Sequence, residues 1–425
     1  MHQHAYSDAP KSGWRRWHRL ALVASAGAVS LTGAALAGVT AAAAAPTAPP
    51  ALTFLTPNGP VGNGDIFITP TGDTGTYANG AEILSKSGQV IWFHPAPSGE
   101  NDFDFRAQIY DGQPVLTFVQ GTGLGAGATN TDYVYNDHYQ EIASFSAGNG
   151  LTTDIHEFQI TPWNTALITA VSQQAVDLSS IGGATDQQVL QGSVQEIDIK
   201  TGKVLFQWNA QDHIPYGDSE QPLPSTATSP WDWYHINAVH VGPHRTILVD
   251  ARNAWTTTDI NLSNGSVNWI LGGKASTFKQ VAGPGQTLND ANDLFAWQHD
   301  PEWLGHDEIS IFDDESAGTA NTGQNVITTG AVSRVEYIKL NFQTGTATLV
   351  QSDPQPEGLS ASSQGNAQPL PGGGAFVGWG NLNYISEFDG AGNLLFNAEF
   401  PTGVNTYRAY FLPWNPAPSG PAAGL

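Results

Sequence analysis

The sequence predicts an all-β protein built as a six-bladed β-propeller, and three observations carry that prediction. Gly, Asn, Thr and Asp break up short apolar runs from about residue 60 onward, and no long stretch has helical periodicity. One type of hairpin recurs six times along the chain. Between the copies, a histidine three times opens a strand, turn, strand unit, which is the pattern expected when alternating hairpins build a radial repeat.

Residues 1–45 precede that pattern and read as a secretory signal. Arg15, Arg16 and Arg19 stand before an uncharged Ala/Leu/Val/Gly run from Leu20 to Ala45 that ends in small residues. Cleavage and a secreted, extracellular location are expected. The alternative is retention by an uncleaved segment, because the run is long enough to span a bilayer. The Arg15-Arg16 pair fits twin-arginine export only loosely, since His18 stands where that signal prefers a bulky apolar residue. Residues 46–60 are a Pro/Ala-rich linker, and residues 61–425 are expected to form a single propeller domain.

The recurring hairpin has an apolar strand, an Asp/Ser/Thr/Gly turn and a strand often ending in an aromatic. It appears as ILSKSGQVIWFH at 83, EIDIKTGKVLFQW at 196, DINLSNGSVNWILGG at 259, YIKLNFQTGTATLV at 337 and EFDGAGNLLFNAEF at 387. YVYNDHYQEIASF at 133 is a degenerate sixth, with His138-Tyr139 in place of the turn glycine. The inner units between them include PVLTFVQG at 114, the three histidine units and PLPGGGAFVGWGN at 369. Closing such units into a ring removes exposed sheet edges. A β-sandwich of unrelated hairpins is the alternative, and it leaves the alternation of hairpin types unexplained.

Composition narrows the function. With 15 Lys+Arg against 38 Asp+Glu, the net charge of -23 argues against a nucleic-acid or anionic-membrane partner. The chain has no cysteine, which excludes disulfides, thiolate metal sites and Cys nucleophiles. Five arginines follow residue 46 (Arg106, Arg245, Arg252, Arg334, Arg408), so each is conspicuous.

The three histidine units are His156 in DIHEFQITPWNTALITA, His235 in DWYHINAVHVGPHRTILVDAR and His299 in AWQHDPEWLGHDEISIFDDE. At equivalent positions of a radial repeat, the three imidazoles would converge on the common axis. Asn237 lies two residues beyond His235, hence on the same strand face, and Arg252 ends the return strand. An arginine beside a histidine cluster suits capture of a tetrahedral oxyanion.

Three chemistries are open to this cluster. Three imidazoles match a catalytic zinc set, but Arg252 opposes a divalent cation, so no metal and no cofactor is expected. Glycoside hydrolysis needs a carboxylate pair. Asp154, Glu157 and Asp300 flank the histidines, but a residue adjacent to an inward one on a strand points the other way. Group transfer through a covalent imidazole, with Arg and the other His stabilising the transferred anion, is the third. Trp231, Trp233, Tyr234, Trp255 and Trp297 lie beside these residues in sequence, where they can stack on an aromatic substrate or pack between blades. GTGLGAGA at 121 has no following helix and reads as a flexible connection. The acidic run at 313–315 reads as a solvated turn, with calcium binding as the alternative.

DIHEF, DWYHIN followed by ARN and NWILGGKASTF, and AWQHDPEW leading to ISIFDDES resemble the bacterial arylsulfotransferases, or aryl-sulfate sulfotransferases. The similarity continues through SRVEYIKL, FVGWGN and TYRAYFLPW, so it covers nearly all of residues 60–415. It is nearest to the branch that carries DxHEF and GWG motifs. The resemblance implies a six-bladed propeller that uses no nucleotide sulfate donor, with an aryl sulfate donor and a phenolic acceptor. It implies His299, after Gln298, as the nucleophile. His235, Asn237 and Arg252 would bind sulfuryl oxygens or exchange the phenolic proton, and His156 matches the first family histidine. Gln298, Trp233 and Trp297 are the further substrate-binding candidates. The chain departs from the family at Ala251, where Ser is usual, at Asn253, where His is common, and in having no substantial domain before the propeller. A propeller that binds an anionic or aromatic ligand without turnover is the second reading.

Overall fold

The computed structural model describes residues 47–318, 328–330 and 332–415. The proposed signal segment lies outside the described residues. Among those described, the strands form six sheets of four or five strands, antiparallel except for a short parallel edge strand in two of them, and these are the blades of a six-bladed β-propeller. No described helix is long and apolar enough to cross a membrane.

Each of the six hairpins read from the sequence forms the outer pair of one blade. In chain order these are Gly80–Ser85 with Val90–Pro95, Asn130–Asn136 with Glu141–Phe145, Gln187–Asp198 with Lys203–Asn209, Thr256–Asn261 with Val267–Leu271, Arg334–Asn341 with Thr346–Pro354, and Tyr384–Asp389 with Leu394–Glu399. The degenerate copy works without a turn glycine because Tyr139 itself adopts φ 60.

The innermost strands of blades 2 to 6 are Asn101–Tyr110, Thr152–Ile160, Ile236–Val241, His299–Gly305 and Asn366–Pro369. Blade 1 is completed from the other end of the fold, by Val404–Leu412 paired with Asp65–Gly72. These six strands neighbour one another in ring order. Apolar side chains fill each interface between blades. The cluster joining blades 3 and 4, for example, buries Leu167, Val194, Trp208, Trp233, Val239 and Val249, and such burial contributes roughly 1.5–3 kcal/mol per large side chain.

Near the axis the pleat is broken. Pairing of the innermost strand slips at Asp104–Phe105 in blade 2, at Asp154–Glu157 in blade 3, at Asn237 in blade 4, at Asp300–Pro301 in blade 5 and at Tyr407–Arg408 in blade 1. A bulge re-aims the side chains it contains. Successive residues therefore both reach the central region, which a regular strand does not allow.

Candidate active site

Two of the three histidines meet directly. The rings of His156 and His235 lie 4.7 Å apart, edge to face. The charges of both act on His299. His235 and Arg252 are tied through the backbone, with Arg252 N–H donating to His235 O at 3.0 Å and Asn253 N–H to Tyr234 O at 3.1 Å. His235 (φ 54), Trp255 (φ 54), Trp297 (φ 59), Asp300 (φ 55) and Gln364 (φ 67) all hold left-handed backbone around this point. Such conformations cost of order 1 kcal/mol or more each and cluster where a site is being shaped.

Every one of the three imidazoles has a carboxylate on Nδ1. His156 pairs with Asp154 at 2.9 Å, His299 with Asp314 at 2.6 Å, and His235 with Asp232. In the sequence, Asp154 is a flanking carboxylate and Asp314 part of a run that reads as a solvated turn. Asp154 stands two residues before His156 in the bulged stretch, and its Oδ1 meets His156 Nδ1, which corrects the expectation that it faces away. The pattern Asp-x-His and Asp-x-x-His is visible in DIH and DWYH; Asp314 comes from the loop after the neighbouring strand and has no such local signal.

His299 is 1% exposed. Burial, then the charges of Arg252, His156, His235 and Arg408, hold its pKa well below the ordinary imidazole value. Burial likewise lowers that of His156, with Asp154 opposing. Burial pushes the Asp314 carboxyl well up, Arg252 opposing and Asp250 and Glu315 adding to the rise. The backbone N–H of Gln364 points at His299 Nε2 at 3.1 Å. A donor facing Nε2 requires a lone pair there, so the proton of the neutral ring is assigned to Nδ1, toward Asp314.

Arg252 is buried, and its Nη2 donates to the carbonyls of Ser316 (3.4 Å), Ala317 (3.2 Å) and Ser362 (2.8 Å). Its guanidinium sits 5.2 Å from the Trp297 ring centre. Its Nε is buried without a hydrogen-bond partner. Burial, the largest influence, lowers its pKa.

Asn237 donates from Nδ2 to Gln298 O at 2.7 Å and leaves Oδ1 unpartnered. The Gln298 carboxamide turns to Asp250 Oδ1 at 2.9 Å, between blades 4 and 5. Trp233 packs 4.7 Å from Tyr216 and 5.0 Å from Tyr234, with its N–H on Gln191. Trp297 packs edge to face on Trp255. Both Trp233 and Trp297 are 0% exposed, so neither offers an open ring face here.

A small cleft opens at Asp154, Asp232 and His235, walled by Val171, Leu190, Gly192 and Ile236 and by Leu124 and Gly125. The glycine-rich run at 121 is thus part of the wall. The acidic run at 313–315 is buried rather than solvated. Asp313 and Glu315 grip Arg334 at 3.2 and 2.8 Å, and Asp314 holds His299.

Beneath the histidines lies a buried ion network. It joins Asp104, Arg106, Glu157, His240, Asp300 and Arg408. The bulges bring Glu157 and Asp300 inward, which corrects the expectation that they face away. Glu157, His240 and Asp300 present ligand atoms within 4.8 Å of one another. Arg106 and Arg408 already supply positive charge to the same carboxylates, so the group reads as ion pairs rather than a cation site.

A propeller whose axial end gathers three carboxylate-held imidazoles and a buried guanidinium is the class of protein these features define. The chain belongs to the arylsulfotransferase family: the family model described as Arylsulfotransferase (ASST) matches residues 106–401, and an arylsulfotransferase-like function follows. No curated protein matches the chain. Among solved structures it is similar to a protein of unknown function from Bacteroides caccae, at 10% identity over 83% of this chain and 99% of that one, with a TM-score of 0.45. It is also similar to an ACO/RPE65 chimera, at 10% identity over 78% of this chain and 70% of that one, with a TM-score of 0.39. The dihydro-heme d1 dehydrogenase NirN gives 11% identity over 85% and 80%, with a TM-score of 0.35.

Proposed function

We propose that the protein moves a sulfuryl group from a phenolic sulfate ester to a phenolic acceptor through a covalent sulfohistidine at His299, with no nucleotide donor. The observation that carries this reading is the setting of His299, with Nδ1 2.6 Å from Asp314 and Nε2 facing the Gln364 N–H at 3.1 Å, which assigns the proton to Nδ1 and a lone pair to Nε2. Donor binding would displace the Gln364 N–H from that lone pair. Nε2 then attacks sulfur, the bond from sulfur to the aryl oxygen breaks, and the phenoxide leaves with the electron pair and takes the Nε2 proton of His235, which enters this step as an imidazolium held at Nδ1 by Asp232. The acceptor phenol next gives its proton to that imidazole as its oxygen attacks sulfur. The N–S bond breaks, and its electrons return to Nε2.

His235 suits the proton role because it lines the cleft while His299 lies deeper. Arg252 would neutralise the sulfuryl oxygens, and Trp297 holds it from below. Asn237 acts by fixing the backbone just before His299. Sulfuryl transfer resembles phosphoryl transfer in its loose transition state, so positioning and charge stabilisation supply most of the catalysis.

The second reading, a propeller that binds an anionic or aromatic ligand without turnover, draws on the Gln364 N–H already occupying Nε2. One experiment separates the two. Purified protein is incubated with a fluorogenic aryl sulfate, with and without a phenol, and digested for mass analysis. A sulfuryl adduct on His299 and phenol-dependent release lost in His299→Ala support the transferase; tight binding with neither supports the binding module. Secretion is a separate proposal, tested by sequencing the N-terminus of exported protein.

A further inference from the structure

One guanidinium touches the neighbours of all three site histidines. Arg408 Nη1 donates to Glu157 Oε2 at 2.9 Å, and Glu157 directly follows His156. Nη1 also lies 3.5 Å from Asp300 Oδ1, and Asp300 directly follows His299. Nη2 donates to the backbone carbonyl of Asn237 at 3.0 Å, two residues beyond His235. Asp104 of blade 2 accepts from the same Nη1 at 3.1 Å. Beside it on the strand, the Tyr407 hydroxyl donates to His156 O at 3.1 Å. Asn366 of blade 6 exchanges two hydrogen bonds with Ala409, at 2.8 and 2.9 Å.

Arg408 is therefore the point where the blades bearing the three imidazoles are gauged against one another. Its planar fork spans partners on different sides, which a lysine ammonium does not. Each partner lies in or beside a bulge of an innermost strand, where ladder hydrogen bonds no longer fix the backbone. Without the fork, Asp104, Glu157 and Asp300 would keep only Arg106 and His240 as cationic partners among the described residues, and neither reaches the Asn237 backbone as well.

We propose that Arg408 is a positioning residue for the sulfuryl-transfer site, setting the mutual spacing of His156, His235 and His299 through Glu157, Asn237 and Asp300. The reaction itself rests on the function proposed above; the spacing does not. At 2% exposure, with both terminal nitrogens taken by protein acceptors and Nε buried, it is kept from substrate, so it acts only through the residues it holds. Its charge also helps to keep His299 neutral.

The test uses the full chain with Arg408→Gln, Arg408→Lys and Tyr407→Phe, with folding checked by circular dichroism. Kinetics use an aryl sulfate and a phenol, and the three histidines are titrated by 15N NMR. Folded Arg408→Gln should lose roughly 100-fold in kcat, with donor KM changed less than about threefold. Its His299 titration should move up toward the ordinary imidazole range. Arg408→Lys, which keeps the charge and loses the fork, should bring the titration back while recovering only part of kcat. Wild-type kcat within about twofold and unmoved titrations in folded Arg408→Gln would overturn the proposal. Should that variant not fold, the same result in Arg408→Lys together with Tyr407→Phe overturns it. If the wild type transfers no sulfuryl group, the functional reading fails, and the titrations still decide the role of Arg408.

Discussion

His299 Nδ1 and Asp314 Oδ2 lie 2.6 Å apart, so the ring proton that the Gln364 N–H leaves to Nδ1 meets an acceptor there. With the proton held on Nδ1, the lone pair is on Nε2, the atom that faces Gln364. In the proposed covalent intermediate the ring would be cationic, and a positive charge beside Asp314 would favour ionisation of a carboxyl that burial otherwise pushes up.

Asp314→Asn should keep the fold and lower kcat on the order of 10³-fold, with KM little changed, because an amide N–H facing Nδ1 favours the opposite tautomer. Steady-state kinetics measure the loss, and 15N NMR of the imidazole reports the tautomer. An active variant still protonated on Nδ1 would remove Asp314 from the mechanism.

The pKa of His299 is depressed, and protonation at Nε2 removes the attacking lone pair. Activity should therefore persist as pH falls through the ordinary imidazole value of about 6.5, with the acid limb of kcat/KM below it. The same depression makes this group's share of stability present above the unfolded value and lost as pH falls below it, since the unfolded chain then binds the extra proton. A pH series of rates and of thermal melts checks both signs.

Arg252→Met should lower kcat by about 10²–10³-fold, the cost of removing one preorganised donor from a developing anion. Arg252 is the largest influence after burial in lowering the His299 pKa, so the acid limb should also shift upward. A rate loss without that shift would separate Arg252 from His299.

Glu82 is 0% exposed with both carboxylate oxygens unpartnered, and burial pushes its pKa up to about 8. The folded state then holds a proton that the unfolded chain releases near its ordinary value. Stability from this group should fall between about pH 5 and 8, by up to roughly 4 kcal/mol. Glu82→Gln should flatten that part of the melting curve against pH, and an unchanged slope would place the titration elsewhere.

The blades were legible because each outer hairpin repeats a local pattern that its turn chemistry enforces. Even YVYNDHYQEIASF forms its pair, since Tyr139 takes the left-handed turn itself. The meeting of His156 with His235 followed from repeated units, and the backbone tie of Arg252 to His235 from its place at the end of the return strand. Asp314, Glu157, Asp300 and Arg408 were not legible, and the cause is physical. Their roles depend on bulges that cancel strand alternation, and on contacts such as Arg408 with Glu157, 251 positions apart in the chain, which no local pattern records. Of the two roles open to Trp233 in the sequence, stacking on a substrate or packing, the fold has it packed against Tyr216 and Tyr234.

Blade 1 joins residues 65–95 to 404–412, and this sets an order of events during biosynthesis. A nascent chain halted before residue 404 already holds every histidine, aspartate and arginine of the site except Arg408. It still lacks the strand that seals the ring. Competence for sulfuryl transfer should therefore arrive abruptly, with the last blade, so that partial translation products stay silent toward phenols however much of the propeller they have formed.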